Sequence, residues 1–168
     1  MTVSTKVEPM RIVSIYPYTR GFAYAVMDSA LEVIESRLFD IKEYDHQKTM
    51  ELSQNVILKH QPSIVILENT NCNYCRKGPR AKQLIRSIAA WVKRNEIDLQ
   101  FISRVDIRDV FERWNAKNKY EIAEVLKRNI QDLQSFVMEK PKYPGREPNI
   151  EAIFSAVSMG VTHFFLQE

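Results

Sequence analysis

One short stretch constrains this chain more than any other. Residues 63–68 read Ser-Ile-Val-Ile-Leu-Glu, and the turn-forming residues Asn69, Thr70 and Asn71 follow at once. Four consecutive apolar residues, mostly β-branched and bounded by polar ones, are typical of a strand buried on both faces of a sheet. The carboxylate of Glu68 then stands at the C-terminal end of that strand, where ligands and catalytic groups collect in open α/β sheets. The alternative is that Glu68 only caps the following loop.

Composition is that of an ordinary globular domain. The chain has 168 residues, of which 45% are hydrophobic and 27% charged, so wholesale disorder is not expected. We expect residues 11–168 to form a single domain after a flexible N-terminus at residues 1–10, which lacks the apolar core of a signal peptide. No run of about 18 apolar residues occurs, so no membrane-spanning helix is expected. Only two cysteines are present, which argues against a disulfide-built secreted fold and favours a reducing cytoplasm.

Hydrophobic patterning predicts three strands, a helix, a strand, a helix, a strand and two further helices. The predicted strands cover residues 11–16, 22–27, 31–39, 63–68 and 99–105. The first predicted helix begins after an N-cap at Asp45 and is ended by Pro62, and the second covers residues 82–94. A short helical turn is predicted at residues 106–111 and a longer helix at residues 121–137. A loop at residues 138–148 precedes the last helix, which starts near Asn149. Tight turns make the first three strands an antiparallel meander, and crossover helices make strands 1, 4 and 5 parallel. The sequence therefore predicts one mixed α/β sheet with helices on both faces.

That order resembles the ribonuclease H-like fold, and three stretches narrow the resemblance to the RuvC-like Holliday junction resolvases. Residues 12–26 resemble the opening hairpin of that family, and residues 64–68 resemble the strand that ends in its second acidic residue. Residues 147–156 resemble its final acidic helix, and residues 101–128 resemble the strand, short turn and helix that precede it. The resemblance covers nearly the whole chain and implies a five-stranded mixed sheet.

The chemistry implied by the resemblance is hydrolysis of a phosphodiester in branched DNA by two Mg²⁺ or Mn²⁺ ions held between carboxylates. Glu68 and Glu151 match acidic positions of the family as catalytic residues and metal ligands, and Glu147 is a possible substitute for a third. Tyr16 stands where the family has its metal-bridging aspartate, and a neutral phenol is a poor ligand for Mg²⁺. Asp28 is expected at the opposite end of the sheet, too far away to replace it.

The densest cluster of basic residues follows Glu68 and opens the next predicted helix, where backbone amides and cations suit phosphate. We interpret these residues as a nucleic-acid-binding surface, with two tyrosines placed to stack on bases: Arg76, Lys77, Arg80, Lys82, Arg86, Tyr18 and Tyr74. More basic residues broaden it: Arg108, Arg113, Lys117, Lys119, Lys127 and Arg128. The alternative is a solvated basic loop. The net charge of +3 permits a nucleic-acid partner without requiring one.

Cys72 and Cys75 form a single C-x-x-C pair in the same loop. Tetrahedral zinc needs four ligands, so a site here would have to be shared between the two halves of a dimer. The alternative is a pair of reduced surface thiols, and a redox pair lacks a thioredoxin-like context.

Three interpretations remain open at this point. The favoured one is a RuvC-like domain that binds branched or structured DNA and has lost or altered its metal chemistry. The second is an active metal-dependent endonuclease that uses Glu68, Glu151 and Glu147. The third is a structural or regulatory dimer that keeps only the fold. The resemblance implies a homodimer and a role in DNA recombination, and the lack of a long apolar run predicts no contact with a membrane.

Overall fold

A computed structural model describes residues 10–71, 75, 77–136 and 150–167. Its strands are β1 (Ile12–Tyr18), β2 (Gly21–Ser29), β3 (Glu32–Asp40), β4 (Ile64–Glu68) and β5 (Asp98–Ile102). Its α-helices are α1 (His46–His60), α2 (Pro79–Arg94), α3 (Arg104–Phe111), α4 (Lys119–Asn129) and α5 (Glu151–Leu166). Short 3₁₀ turns follow α3 at Glu112–Trp114 and α4 at Gln131–Leu133.

The strands form one five-stranded sheet in the order β3-β2-β1-β4-β5. β1 pairs antiparallel with β2, and β2 pairs antiparallel with β3, so the first three strands are a meander. β4 pairs parallel with β1, and β5 pairs parallel with β4. The predicted mixed sheet, with an antiparallel meander and two further parallel strands, is confirmed.

Side-chain alternation along the central strands builds a core on each face of the sheet. In β1, Val13 and Ile15 join the cluster that packs against α1 and α2. Ile12 and Tyr16 join the other cluster, which packs against α3, α4 and α5. In β4, Ile66 lies on the α5 side in the same way. Two-residue periodicity therefore places both Tyr16 and Glu68 on the face that α5 covers.

Two glycines permit close backbone approaches in this architecture. Gly21 opens β2 with a φ of 154°, and a Cβ there would lie 2.0 Å from the carbonyl oxygen of Phe39. Gly160 lies in the middle of α5, where a Cβ would lie 2.4 Å from Sδ of Met27. α5 therefore packs almost directly onto β1 and β2.

Several predicted boundaries were wrong, and local capping explains most of them. β5 ends at Ile102 because Ser103 forms a capping box with Asp106 and starts α3, so the predicted strand to residue 105 was too long. α2 starts at Pro79 rather than residue 82, since proline is well tolerated in the first turn of a helix. β1 continues to Tyr18, beyond the turn predicted from Pro17.

The predicted helix over residues 121–137 was also too long. α4 ends at Asn129, whose side-chain amide donates to the carbonyl of Val125, and Ile130 is extended. The predicted loop at 138–148 and the predicted helix start at Asn149 lie outside the described residues. Asp45 caps α1 as predicted, since its side chain accepts from the amide of Lys48.

Among the helices that the structure describes, none has the length and apolar character needed to cross a bilayer.

Candidate functional site

Two of the predicted site residues meet at the carboxyl ends of the parallel strands. Glu68 is the last residue of β4 and Tyr16 lies near the end of β1, both on the face covered by α5. Glu68 is only 2% exposed to solvent and Tyr16 only 7%. A buried carboxylate must be compensated by cations or hydrogen bonds, so its neighbours decide what this site can do.

Two cations flank the carboxylate of Glu68. Nε of Arg104 lies 3.5 Å from Oε1, and Nζ of Lys77 lies 3.4 Å from Oε2. These separations are those of ion pairs rather than of good hydrogen bonds. Oε2 itself has no hydrogen-bond partner among the described residues, although it is buried. The charge of Glu68 is therefore balanced mainly by electrostatic attraction to Lys77 and Arg104.

Lys77 is held inside the site and does not lie on an open surface. Its side chain is only 7% exposed, and Nζ donates a hydrogen bond of 2.6 Å to the carbonyl oxygen of Pro17. The same ammonium group lies 3.4 Å from the centroid of the Tyr16 ring, in a cation–π contact. Lys77 therefore ties the loop after β4 to the end of β1.

The phenol oxygen of Tyr16 links the contacts around Glu68 to those around Glu151. It accepts from Nη2 of Arg104 at 3.3 Å and lies 3.4 Å from Nζ of Lys119. Lys119 in turn forms an ion pair of 3.1 Å with Oε1 of Glu151, the first residue of α5. Ser155, one turn later, donates to the same carboxylate oxygen at 3.1 Å.

The result is an unbroken series of polar contacts from one carboxylate to the other. We call it the Tyr16 cluster, and its members are Tyr16, Glu68, Lys77, Arg104, Lys119 and Glu151. It holds three cationic and two anionic side chains. The carboxylates of Glu68 and Glu151 are therefore both paired with cations of the same cluster.

The members of the Tyr16 cluster do not fit a pair of magnesium ions. Mg²⁺ needs several oxygen ligands at about 2.0–2.1 Å in octahedral geometry. Here the carboxylates of Glu68 and Glu151 are paired with Lys77, Arg104 and Lys119, which a metal would have to displace. Within the described part of the chain, no three side chains of His, Cys, Asp or Glu converge as a metal site.

Other predicted residues are placed as follows. Arg80 and Arg86 are exposed on α2 and Lys82 is half-buried there, and the guanidinium of Arg80 stacks on Tyr44 at 4.5 Å. Cys75 is a half-buried free thiol. Four predicted site residues lie outside the described residues, namely Glu147, Cys72, Tyr74 and Arg76.

Tyr18 is constrained by its contacts. Its hydroxyl donates to the carbonyl of Phe39 at 3.2 Å, and its ring packs against the core on the α5 side. Burial, reinforced by the carboxylate of Asp40, raises the pKa of Tyr18 to about 12. The phenol is thus neutral and engaged within the sheet.

Asp28 lies at the other end of the sheet and does not belong to the site. Its carboxylate forms two hydrogen bonds with Arg11, just before β1, at 2.9 and 3.1 Å. The hydrogen bond from Arg11 lowers the pKa of Asp28. This pair fastens the amino end of β1 to β2.

Sequence reasoning did not single out Arg104, and it named Lys119 only as one of several outlying basic residues. Each is the first residue of a helix, α3 or α4, directly after the capping residues Ser103 and Asn118. Cations are disfavoured at that end of a helix by the helix dipole. A lysine or arginine directly after a helix cap is the signal that could have drawn attention to both.

Comparison with known proteins gives matches at the level of structure. No protein-family model matches the sequence, and a search of curated proteins found no significant match. Thermus thermophilus RuvC matches with a TM-score of 0.65 and 13% sequence identity, over 94% of this chain and 96% of that chain. T. thermophilus RuvC in complex with a Holliday junction substrate matches with a TM-score of 0.64 and 12% identity, over 94% and 95%.

A yeast protein extends the comparison. The yeast mitochondrial Holliday junction resolvase Ydc2 matches with a TM-score of 0.57 and 11% identity, over 98% of this chain and 84% of that chain. These identities are low, while the coverage is nearly complete, so what is shared is the arrangement of strands and helices. The chain therefore has the RuvC-like, ribonuclease H-like fold.

Proposed function

We propose that this protein binds branched or structured DNA through its RuvC-like fold and that it has lost metal-dependent cleavage. The observation that carries the proposal is the Tyr16 cluster, in which cationic side chains lie against both Glu68 and Glu151. The cluster contains two acidic residues of a nuclease-like site, and cationic side chains of the same cluster balance the charges of these two carboxylates.

Competition for the same oxygens supports the proposed loss of metal chemistry. A divalent ion at Glu68 would have to come within about 2 Å of a carboxylate oxygen, while Lys77 and Arg104 stand at 3.4 and 3.5 Å. Three cationic groups close by would also repel a divalent cation. The neutral phenol of Tyr16, placed at the centre of the cluster, offers no negative charge to offset that repulsion.

DNA as the partner is supported by the shared fold and by charge. One of the matching structures is a RuvC in complex with a Holliday junction substrate. This chain presents exposed arginines on α2, Arg80 and Arg86, on the helix that opens two residues after Lys77 of the cluster. Phosphate contacts by such residues supply affinity without reading sequence.

The test is to incubate the purified protein with four-way junction, flap and duplex DNA, in Mg²⁺, in Mn²⁺ and in EDTA. We expect retarded junction complexes in all three conditions and intact strands throughout. The control variant is Glu68→Gln, which removes the charge that a catalytic metal would need. Metal-dependent cutting that disappears in Glu68→Gln would establish a nuclease and contradict the loss of cleavage. If the protein binds no DNA structure at all, only the fold is shared.

A homodimer and a zinc site shared between two copies are further expectations. Light scattering at several protein concentrations tests the first. Zinc content of the purified protein, with Cys75→Ser as the control, tests the second.

A further inference from the structure

We infer that a groove beside Trp114 binds a segment of a partner protein in which an apolar side chain and a lysine or arginine lie close together. The groove consists of two adjoining cavities beside the 3₁₀ turn Glu112–Trp114, and we call it the Trp114 groove. The lining residues on which the argument depends are Leu31, Phe111, Trp114, Tyr120, Glu121 and Glu124. The inference goes beyond DNA binding and does not depend on it.

The first cavity of the Trp114 groove is apolar. Its volume is about 160 Å³, and apart from Asn129 its lining side chains are apolar. They come from α3, α4, α5 and the turn between β2 and β3. A cavity of roughly 150 Å³ lined by such side chains accepts benzene. This cavity therefore has room for one side chain of the size of leucine or phenylalanine.

Large apolar side chains stay exposed at this cavity. Leu31 is 57% exposed and Trp114 is 38% exposed. The Trp114 ring is held in place by Phe111 and Phe165, whose ring centroids lie 5.4 and 5.3 Å away. A fixed tryptophan in an apolar patch with charged residues at its edge is typical of a protein interface. The exposed surface therefore favours a protein as the ligand.

The second cavity of the groove supplies negative charge. Its volume is about 280 Å³, and it adjoins the first because Trp114 and Val125 line both. Its charged lining residues are Glu121, Glu124 and Arg128, so carboxylates outnumber cations there. The chain as a whole has a net charge of +3, and this cavity therefore differs from the rest of the surface. A cationic side chain of the partner would complement it.

The two carboxylates of this cavity are not committed to cations of their own chain. Neither Glu121 nor Glu124 belongs to any ion pair among the described residues. Glu121 accepts a hydrogen bond of 2.6 Å from the backbone amide of Lys117, and this contact supports the start of α4. Tyr120 and Trp114 line the same cavity, and aromatic rings attract cations. Because the cavities meet at Trp114, the apolar and the cationic side chain of the partner must lie within a few residues of each other.

The test is a selection of peptides from a displayed library of random sequences on the full-length protein. We expect enriched peptides to carry a large apolar residue with lysine or arginine within one helical turn of it. Fluorescence anisotropy then measures the affinity of an enriched peptide for each variant. Trp114→Ala should weaken binding by about 30-fold, as at an aromatic hot spot, and Leu31→Ser by about 5-fold. Glu124→Gln should weaken it by about 3-fold at low salt, and that difference should vanish at about 1 M salt.

Two exposed residues of α1 provide matched controls. Leu58 is 58% exposed, so Leu58→Ser removes as much accessible apolar surface as Leu31→Ser. Glu51 is an exposed carboxylate on the same helix, so Glu51→Gln is the control for Glu124→Gln. Both control variants should bind the peptide as the wild type does. Trp114 also packs against Phe111 and Phe165, so Leu31→Ser carries the test if Trp114→Ala does not fold.

Three results would overturn the inference. The first is a selection that enriches no peptide, or only peptides without a basic residue. The second is binding of the enriched peptides that Leu31→Ser and Glu124→Gln leave unchanged. The third is self-association of the protein, seen by light scattering and abolished by Leu31→Ser, in the absence of any selected peptide, because a second copy would then occupy the groove. None of these results bears on junction binding, so the proposed function would stand or fall separately.

Discussion

Tyr16 places a phenol rather than a carboxylate at the centre of the candidate site. Its phenol oxygen accepts from one cation and contacts another, so the centre of the site is a hydrogen-bonding group without charge. We predict that Tyr16→Asp alone creates no metal-dependent cleavage, because the new carboxylate would pair with Arg104 and Lys119. Strand cleavage of junction DNA in Mn²⁺ measures this, with Tyr16→Phe as the control. Cleavage by Tyr16→Asp would show that the tyrosine alone disables the site.

Lys77 and Glu68 offer a test of the buried ion pair itself. Removal of one partner of a buried pair commonly costs about 3–5 kcal/mol, since the other charge stays buried without compensation. Arg104 remains beside Glu68, so we expect Lys77→Met to lie near the lower end of that range. The double variant Lys77→Met with Glu68→Gln should recover most of the loss. Urea denaturation of the single and double variants measures the coupling.

An exposed ion pair serves as the control for the Lys77 and Glu68 variants. Lys59 lies 3.9 Å from Glu35 and its side chain is 69% exposed, so Lys59→Met should cost less than about 1 kcal/mol. Equal losses in Lys77→Met and Lys59→Met would mean that Lys77 does not compensate a buried charge.

At the scale of elements, α5 is held by its close approach to the sheet. We predict that Gly160→Ala destabilises the fold by about 1–3 kcal/mol, as is typical when a core is overpacked, even though alanine is the better helix former. The added Cβ would lie 2.4 Å from Sδ of Met27, which is fully buried and has little room to move. Thermal unfolding measures the loss, and the same substitution should cost less when it is made in a Met27→Ala background, where the clash with Sδ is absent. A more stable Gly160→Ala variant would contradict the close packing.

At the contact between α5 and β5, a buried histidine leads us to expect that stability depends on pH. His163 is buried and its Nδ1 contacts the side-chain oxygen of Gln100, and burial lowers the pKa of His163. The unfolded chain therefore binds a proton at higher pH than the folded chain. The stabilisation is complete above the ordinary histidine value of about 6.5 and is lost as the pH falls through it towards the lowered folded value.

We accordingly predict that the free energy of unfolding drops between about pH 7.5 and pH 5.5. His163→Gln should show a smaller drop, because it removes this proton-linked term. Urea denaturation at both values measures the difference. An identical drop in the wild type and in His163→Gln would assign the pH dependence to other groups.

The elements were predictable where local patterning decides them. The apolar run before Glu68 predicts β4, and Asp45 marks the start of α1 because its capping contact involves only neighbours three residues away. The end of α4 was not predictable in the same way. The apolar spacing continues beyond Asn129 and contains no proline or glycine, so nothing in the pattern marks the stop.

The whole molecule decides the character of the site, and only part of that was visible in the sequence. The position of Glu68 follows from its strand, and Tyr16 stood out against the resemblance to a nuclease family. The pairing of Tyr16 with Arg104 and Lys119 spans 88 and 103 residues of chain. Such contacts depend on how α3 and α4 pack around the sheet edge, which local patterns do not determine. The pairing of the carboxylates with cations in this site could therefore be recognised only from the structure.

The most direct measurement is Mn²⁺ binding to the free protein, followed by electron paramagnetic resonance of the unbound ion. We propose that cationic side chains hold the carboxylates where a nuclease would hold metals. We therefore predict no saturable binding at millimolar Mn²⁺ and no difference between the wild type and Glu68→Gln. Stoichiometric binding that disappears in Glu68→Gln would contradict it, because the Tyr16 cluster would then open to admit a metal.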